Sequence, residues 1–161
     1  MVILGIDPGL ASTGFGAINC DRPVPSLLKC GFIKTSTGVH ISGRLCQIHS
    51  DMVQILETVR PDMVAIEDVF SLVKYPKAGI QLGGVLGIIY LLVSQNRIKT
   101  VEISPKEVKR SLVGYGGADK RQVREAIQKM LHVDKISSFH AADALAIALT
   151  AFYRASPMRV S

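Results

Sequence analysis

The chain has no tryptophan and only 6% aromatic residues, so its core has to be built from aliphatic side chains. It has three cysteines, Cys20, Cys30 and Cys46, an odd number with no C-x-x-C spacing among them. Such a set signals neither a disulfide framework nor a thiolate zinc site, and it points to a reducing compartment. Acidic residues are outnumbered, 13 against 19 Lys and Arg, for a net charge of +6. That excess permits a polyanionic partner without demanding one. The chain does not open on a basic region followed by a long apolar stretch, because Asp7 interrupts the first apolar run. The longest apolar run, Val85 to Val93, falls short of the about 20 residues a bilayer requires. A cytoplasmic protein with no membrane segment is the expectation. There is no internal repeat and no low-complexity tract. A chain of 161 residues suits one domain able to bury a core unaided, here residues 1–157 with a short tail at 158–161.

What is present first is Ile3-Leu4-Gly5-Ile6-Asp7-Pro8-Gly9. An apolar run of this kind suits a buried strand, and Pro8-Gly9 forces a turn directly after the carboxylate. Val2 to Ile6, residues 14–18 and Leu27 to Lys34 read as three strands with short links, an antiparallel meander. From Ser42 the period changes. Leu45, Ile48, Met52, Ile55, Leu56 and Val59 share a helical face, and Pro61 stops the helix. Met63 to Ile66 is a buried strand that delivers Glu67.

Residues 78–96 are apolar nearly all round and carry Gly79, Gly83, Gly84 and Gly87, a poor composition for a solvent-facing helix. The spacing predicts a helix packed closely on something. After a strand at residues 100–103, Ser104-Pro105-Lys106-Glu107 supplies an N-cap, a proline at N1 and a capping-box Glu at N3. Asp119 can cap a helix with Val123, Ile127 and Leu131 inward. A last helix runs from near Ser138 to about Arg154. Strands and helices that alternate after an opening meander define an α/β domain with a mixed sheet.

Asp7 and Glu67 each end a strand, so neighbouring strands would place both carboxylates at one sheet edge. His140 and Asp143 lie three apart on the last helix and share a face. The alanines at 141, 142, 144 and 146 let that helix come close to the sheet and bring Asp143 beside the other two acids. Three carboxylates at one point repel each other unless a cation intervenes, and hard oxygen ligands without thiolate favour Mg²⁺ or Mn²⁺ over Zn²⁺. The spacing alone leaves open a second reading, in which the acids cap loop N–H groups.

These motifs, with Ala65-Ile66-Glu67 followed by Val69-Phe70, Val108-Lys109 leading to Val113-Gly114, and residues 141–148 (Ala-Ala-Asp-Ala-Leu-Ala-Ile-Ala), together resemble the RuvC family of bacterial Holliday-junction resolvases. The resemblance runs in order over nearly the whole chain. It implies an RNase H-like fold with a five-stranded mixed sheet, antiparallel then parallel, flanked by helices. It also implies a homodimer that resolves four-way DNA junctions by symmetric metal-dependent hydrolysis, leaving 5′-phosphate and 3′-hydroxyl nicks. Asp7, Glu67 and Asp143 correspond to the family's metal ligands, at a site with two Mg²⁺ ions that Mn²⁺ can replace. His140 stands where part of the family has a fourth acid; an imidazole there can ligate or move a proton. Lys109 and Lys120 match basic positions near the scissile backbone, and Phe70 matches an aromatic that stacks on bases at the opened junction. The family's partners that hold and move junctions, RuvA and RuvB, are implied by the resemblance alone.

Three rivals differ in what they require. Asp-x-Gly followed by Thr13-Gly14 could form the phosphate hairpin of an actin-like ATPase or sugar kinase, although the chain is too short for the second lobe that closes on a nucleotide. A monomeric RNA-processing relative of the same fold, and a module that binds branched DNA without cutting it, are the others.

Overall fold

The structure, a computed structural model, describes residues 1–69, 76–136 and 138–155. Strands β1 (Val2–Asp7), β2 (Ser12–Asn19) and β3 (Ser26–Lys34) open the chain, followed by α1 (Ile41–Val59), β4 (Met63–Glu67), α2 (Pro76–Gln95), β5 (Lys99–Ile103), α3 (Pro105–Val113), α4 (Lys120–Leu131) and α5 (Phe139–Ala155). The five strands form one sheet in the order β3-β2-β1-β4-β5. β1 lies at its centre, antiparallel to β2 and parallel to β4, and β4 is parallel to β5. This is the RNase H-like arrangement that the motifs imply.

The apolar run of β1 serves both faces of the sheet, as a pleated strand with period two requires. Ile3 packs with α3, α4 and α5 residues such as Leu112, Ile127 and Leu145, whereas Leu4 and Ile6 pack with Ile48 and Met52 of α1 and Ile89 of α2. Each of these fully buried aliphatic side chains stabilises the fold by about 1.5–3 kcal/mol relative to exposure.

α5 lies directly on β1 and β2, and glycine on the strand side is the reason it can. A Cβ at Gly5 would collide with the Ala144 carbonyl oxygen, one at Gly14 with the His140 carbonyl oxygen, and one at Gly16 with the Leu145 side chain. The alanines of the helix supply the other half of the close approach: Ala141, Ala144 and Ala148 are fully buried.

Local signals hold with two differences. Ser104 caps α3 by accepting from the Glu107 N–H at 3.2 Å, but the Glu107 carboxylate does not close a capping box. It turns outward and takes a bidentate bond from Arg154 of α5, with Arg154 Nε at 2.8 Å from Oε1, because a guanidinium fork outcompetes a backbone N–H for a carboxylate. The closed capping box belongs to α4, where Asp119 and Gln122 satisfy each other's backbone.

The second difference concerns α2. Val85, Ile89, Leu92 and Val93 are buried, yet Ile80 is 77% and Leu91 55% exposed. The helix packs on α1 and the sheet along one face only, so it is not a core helix of the single chain. Its twenty residues are long and apolar enough to cross a membrane by length and composition only.

Candidate active site

Parallel pairing of β1 with β4 matches Ile6 to Ile66, so Asp7 and Glu67 leave the sheet side by side at the carboxyl ends of adjacent strands. That edge is where open α/β sheets gather their ligand-binding groups. The turn after Asp7 is pinned. The buried Thr13 hydroxyl donates to the Gly9 carbonyl at 2.7 Å, and Thr35 donates to the Leu10 carbonyl at 2.5 Å while accepting from Arg44 Nε at 2.8 Å. A strand end tied down in this way holds its carboxylate at a fixed position.

From the other side α5 presents its first turn. His140 Nδ1 stands 3.3 Å from Asp7 Oδ2, and Asp143, one turn on, has Oδ2 at 3.1 Å from Lys120 Nζ at the start of α4. Asp7 is mostly buried, its side chain 16% exposed, and Asp143 is half-buried at 31%. Glu67, Lys109, Lys120 and Asp143 open onto one cavity of about 110 Å³ whose back wall is Val108, Val123 and Ile147.

The electrostatics follow from this crowding. Burial pushes the Asp7 carboxyl above the usual carboxylate range, against the opposing hydrogen bond from His140, and the Asp143 charge adds to the rise. Burial also lifts Glu67, to about 7, with Asp7 and Asp143 contributing by repulsion and Asp7 also by a hydrogen bond to the protonated form. Lys120 moves upward as well because the Asp143 carboxylate accepts from it. Carboxyls that resist ionisation in mutual company have a use for a nearby positive charge.

Two of the acids thus stand where strand pairing puts them, and Asp143 and His140 join them through α5. Among the described residues no three His, Cys, Asp or Glu side chains are gathered closely enough to close a metal cage by themselves. The donor set nevertheless fits a hard divalent cation: three carboxylates and an imidazole, with no thiol among them. Lys109 and Lys120 both reach the site. Phe70 lies outside the described residues, as do Lys74 and Tyr75. The strand glycines that let α5 approach, Gly5, Gly14 and Gly16, are invisible to an argument built on helix alanines alone. Their spacing around Asp7 was the available signal.

Comparisons with known proteins bear on the family and the fold. Residues 3–151 match the family model described as "Crossover junction endodeoxyribonuclease RuvC". A protein of that name from Legionella pneumophila (strain Lens) is 38% identical over 149 residues, covering 92% of this chain and 84% of the relative. Among solved structures, Thermus thermophilus RuvC superposes with a TM-score of 0.88 at 31% identity, over 98% of this chain and 97% of that one. T. thermophilus RuvC in complex with a Holliday junction substrate gives 0.89 at 32% identity, over 96% and 94%.

Proposed function

The chain belongs to the RuvC family of crossover junction endodeoxyribonucleases, and from that membership we infer that it resolves four-way DNA junctions by hydrolysing phosphodiester bonds. The observation that carries the reading is the placement of Asp7 and Glu67 at the ends of adjacent strands, with Asp143 near enough on α5 to raise both of their pKa values, inside a fold matched over nearly its whole length. A family nuclease needs a divalent metal. Two Mg²⁺ ions, or Mn²⁺ in their place, would be held by Asp7, Glu67 and Asp143 with His140.

Divalent metal held there would supply an activated water at neutral pH and a charge to stabilise the departing 3′ oxygen, the chemistry that leaves 5′-phosphate and 3′-hydroxyl ends. The protein's own residues do the positioning. Asp7 is fixed by the Thr13 and Thr35 latches, and Glu67 by strand pairing with β5, where it stands opposite Ile103. His140, hydrogen-bonded to Asp7 in the structure, holds or passes a proton at Nδ1. Lys120 and Lys109 offer their ammonium groups to the phosphates of the strand being cut, Lys120 exchanging its bond to Asp143 for one to DNA. Phe70 would stack on an unpaired base at the junction.

A four-way junction presents two equivalent strands, and a two-fold dimer presents two equivalent sites. α2 supports that assembly. Ile80, Gly83, Gly87 and Leu91 fall on one exposed face, and among the described residues nothing lies within 4 Å of where a Cβ at Gly83 or Gly87 would sit. Glycines open to solvent between exposed aliphatic residues let a second copy of the helix approach closely. Family membership supports RuvA and RuvB as the partners that would hold and move the junction.

The test is cutting of a synthetic four-way junction with Mg²⁺, by wild type and Asp7→Asn. Wild type should introduce paired symmetric nicks, and Asp7→Asn should bind the junction and leave it intact. Wild type that leaves the junction uncut, or a variant that still cuts, removes the assignment.

A further inference from the structure

Resting on the resolvase reading, we propose that Phe32 is a base-stacking platform of the active site, taking a nucleobase next to the scissile phosphate on the side of the site opposite the lysines. Phe32 lies on β3, the edge strand, directly across from Gly14 of β2. Gly14 has no side chain, and His140 occupies the space that one would fill. The Phe32 ring therefore stands beside the imidazole, with centroids 6.4 Å apart and planes tilted by 45°, and the imidazole in turn stands against Asp7. Ring, imidazole and carboxylate form a row that leads from the sheet edge into the acids.

The core does not account for this ring. Phe32 is 44% exposed and belongs to neither hydrophobic cluster, while its strand neighbour Ile33 is buried. Exposed edge strands ordinarily carry charge to discourage pairing, and β3 does so at Lys29 and Lys34, both exposed. Leu28 and Phe32 interrupt that pattern, and Phe32 does so beside the His140 imidazole. Lys34, two residues on, shares the face of the pleated strand that carries Phe32, and a cation beside a phenyl ring matches the composition with which proteins hold single-stranded nucleic acid, cations along the phosphates and an aromatic face under the base. Lys109 and Lys120 line the cavity on the α3–α4 side, and a strand whose phosphates they took would have its bases free to turn toward β3.

Phe32 could also act only through His140, since their separation lies within the range of aromatic pairs. Stacking leaves a signature that such positioning does not. Junctions carrying 2-aminopurine at the nucleotides flanking the cut are bound in metal-free buffer by wild type, Phe32→Leu and Phe32→Trp, after thermal unfolding has shown all three to be folded. Wild type should quench one of these probes. Phe32→Leu, which keeps an apolar side chain, should lose that quench and bind about tenfold more weakly, and Phe32→Trp should restore both. An unchanged quench in Phe32→Leu overturns the proposal even if cutting slows, because the ring would then serve His140. Wild type that cuts junctions without quenching any flanking probe overturns it too, while wild type that neither binds nor cuts them overturns the resolvase reading itself.

Discussion

Burial and two neighbouring acids lift the Glu67 carboxyl to about 7, well above the 4.5 of a free glutamate, and Asp7 moves in the same direction. Between those two values the folded protein binds more protons than the unfolded chain, so metal-free stability falls as pH rises through this window and levels off above it. A divalent cation needs the ionised form, so its binding displaces a proton and strengthens over the same window. Thermal unfolding with and without Mg²⁺ checks this: the rise in Tm on adding metal should be small at pH 6 and larger at pH 8. An equal rise at both would show that Glu67 is not a ligand. His140 allows a second test. His140→Asp restores a hard oxygen donor at a position 3.3 Å from Asp7, so junction cutting with Mg²⁺ should be kept or improved. Complete loss would show that the imidazole acts as something other than a replaceable ligand. The acids were legible in the sequence because each ends an apolar run or shares a helix face with its neighbour. Phe32 was not, because nothing in the periodicity of residues 26–34 tells which strand edges the sheet or what stands across from it.

At the scale of elements, the site depends on how closely α5 lies on β1 and β2. The alanine-rich helix announced a close approach, but its geometry is set equally by glycines that the strand pattern absorbed without comment. Gly14 faces the backbone of His140, and Gly5 that of Ala144. Backbone atoms cannot rotate aside as a flexible side chain does, so an added methyl group must push the helix. Gly5→Ala should therefore destabilise the fold by about 1–3 kcal/mol, the usual cost of overpacking, as read by denaturant unfolding. Gly14→Ala acts at the helix end that carries His140 and Asp143, so a folded fraction of this variant should show a larger loss of cutting than of stability. If Gly14→Ala cuts like wild type, the first turn of α5 is free to shift and the tight sheet contact does not position the acids. The capping box that Glu107 leaves open has a related origin. Local spacing predicted a bond within α3, and a guanidinium from α5, distant in sequence, took the carboxylate instead.

For the whole molecule, the question is what covers α2. Its all-round apolarity pointed to more partners than one sheet face can offer, and the structure locates the unmet part: Ile80, Gly83, Gly87 and Leu91 lie along a helix whose opposite face is already packed in the core. A two-fold axis crossing that stripe would place each glycine against the partner helix, where the absence of a Cβ shortens the distance between the two axes and brings Ile80 and Leu91 into contact across it. A charge there would be buried without a counter-ion on association, and the symmetry doubles the effect, because each substitution occurs twice in the interface. Leu91→Lys leaves the buried face of α2 untouched, so the single chain should keep its unfolding midpoint within about 1 kcal/mol equivalent. Its mass by light scattering should fall to that of one chain, and the remaining nuclease should place single nicks on four-way junctions where the wild type places pairs. A variant that stays dimeric and still cuts in pairs would move the interface away from α2 and leave the exposed glycine stripe without a role in resolution.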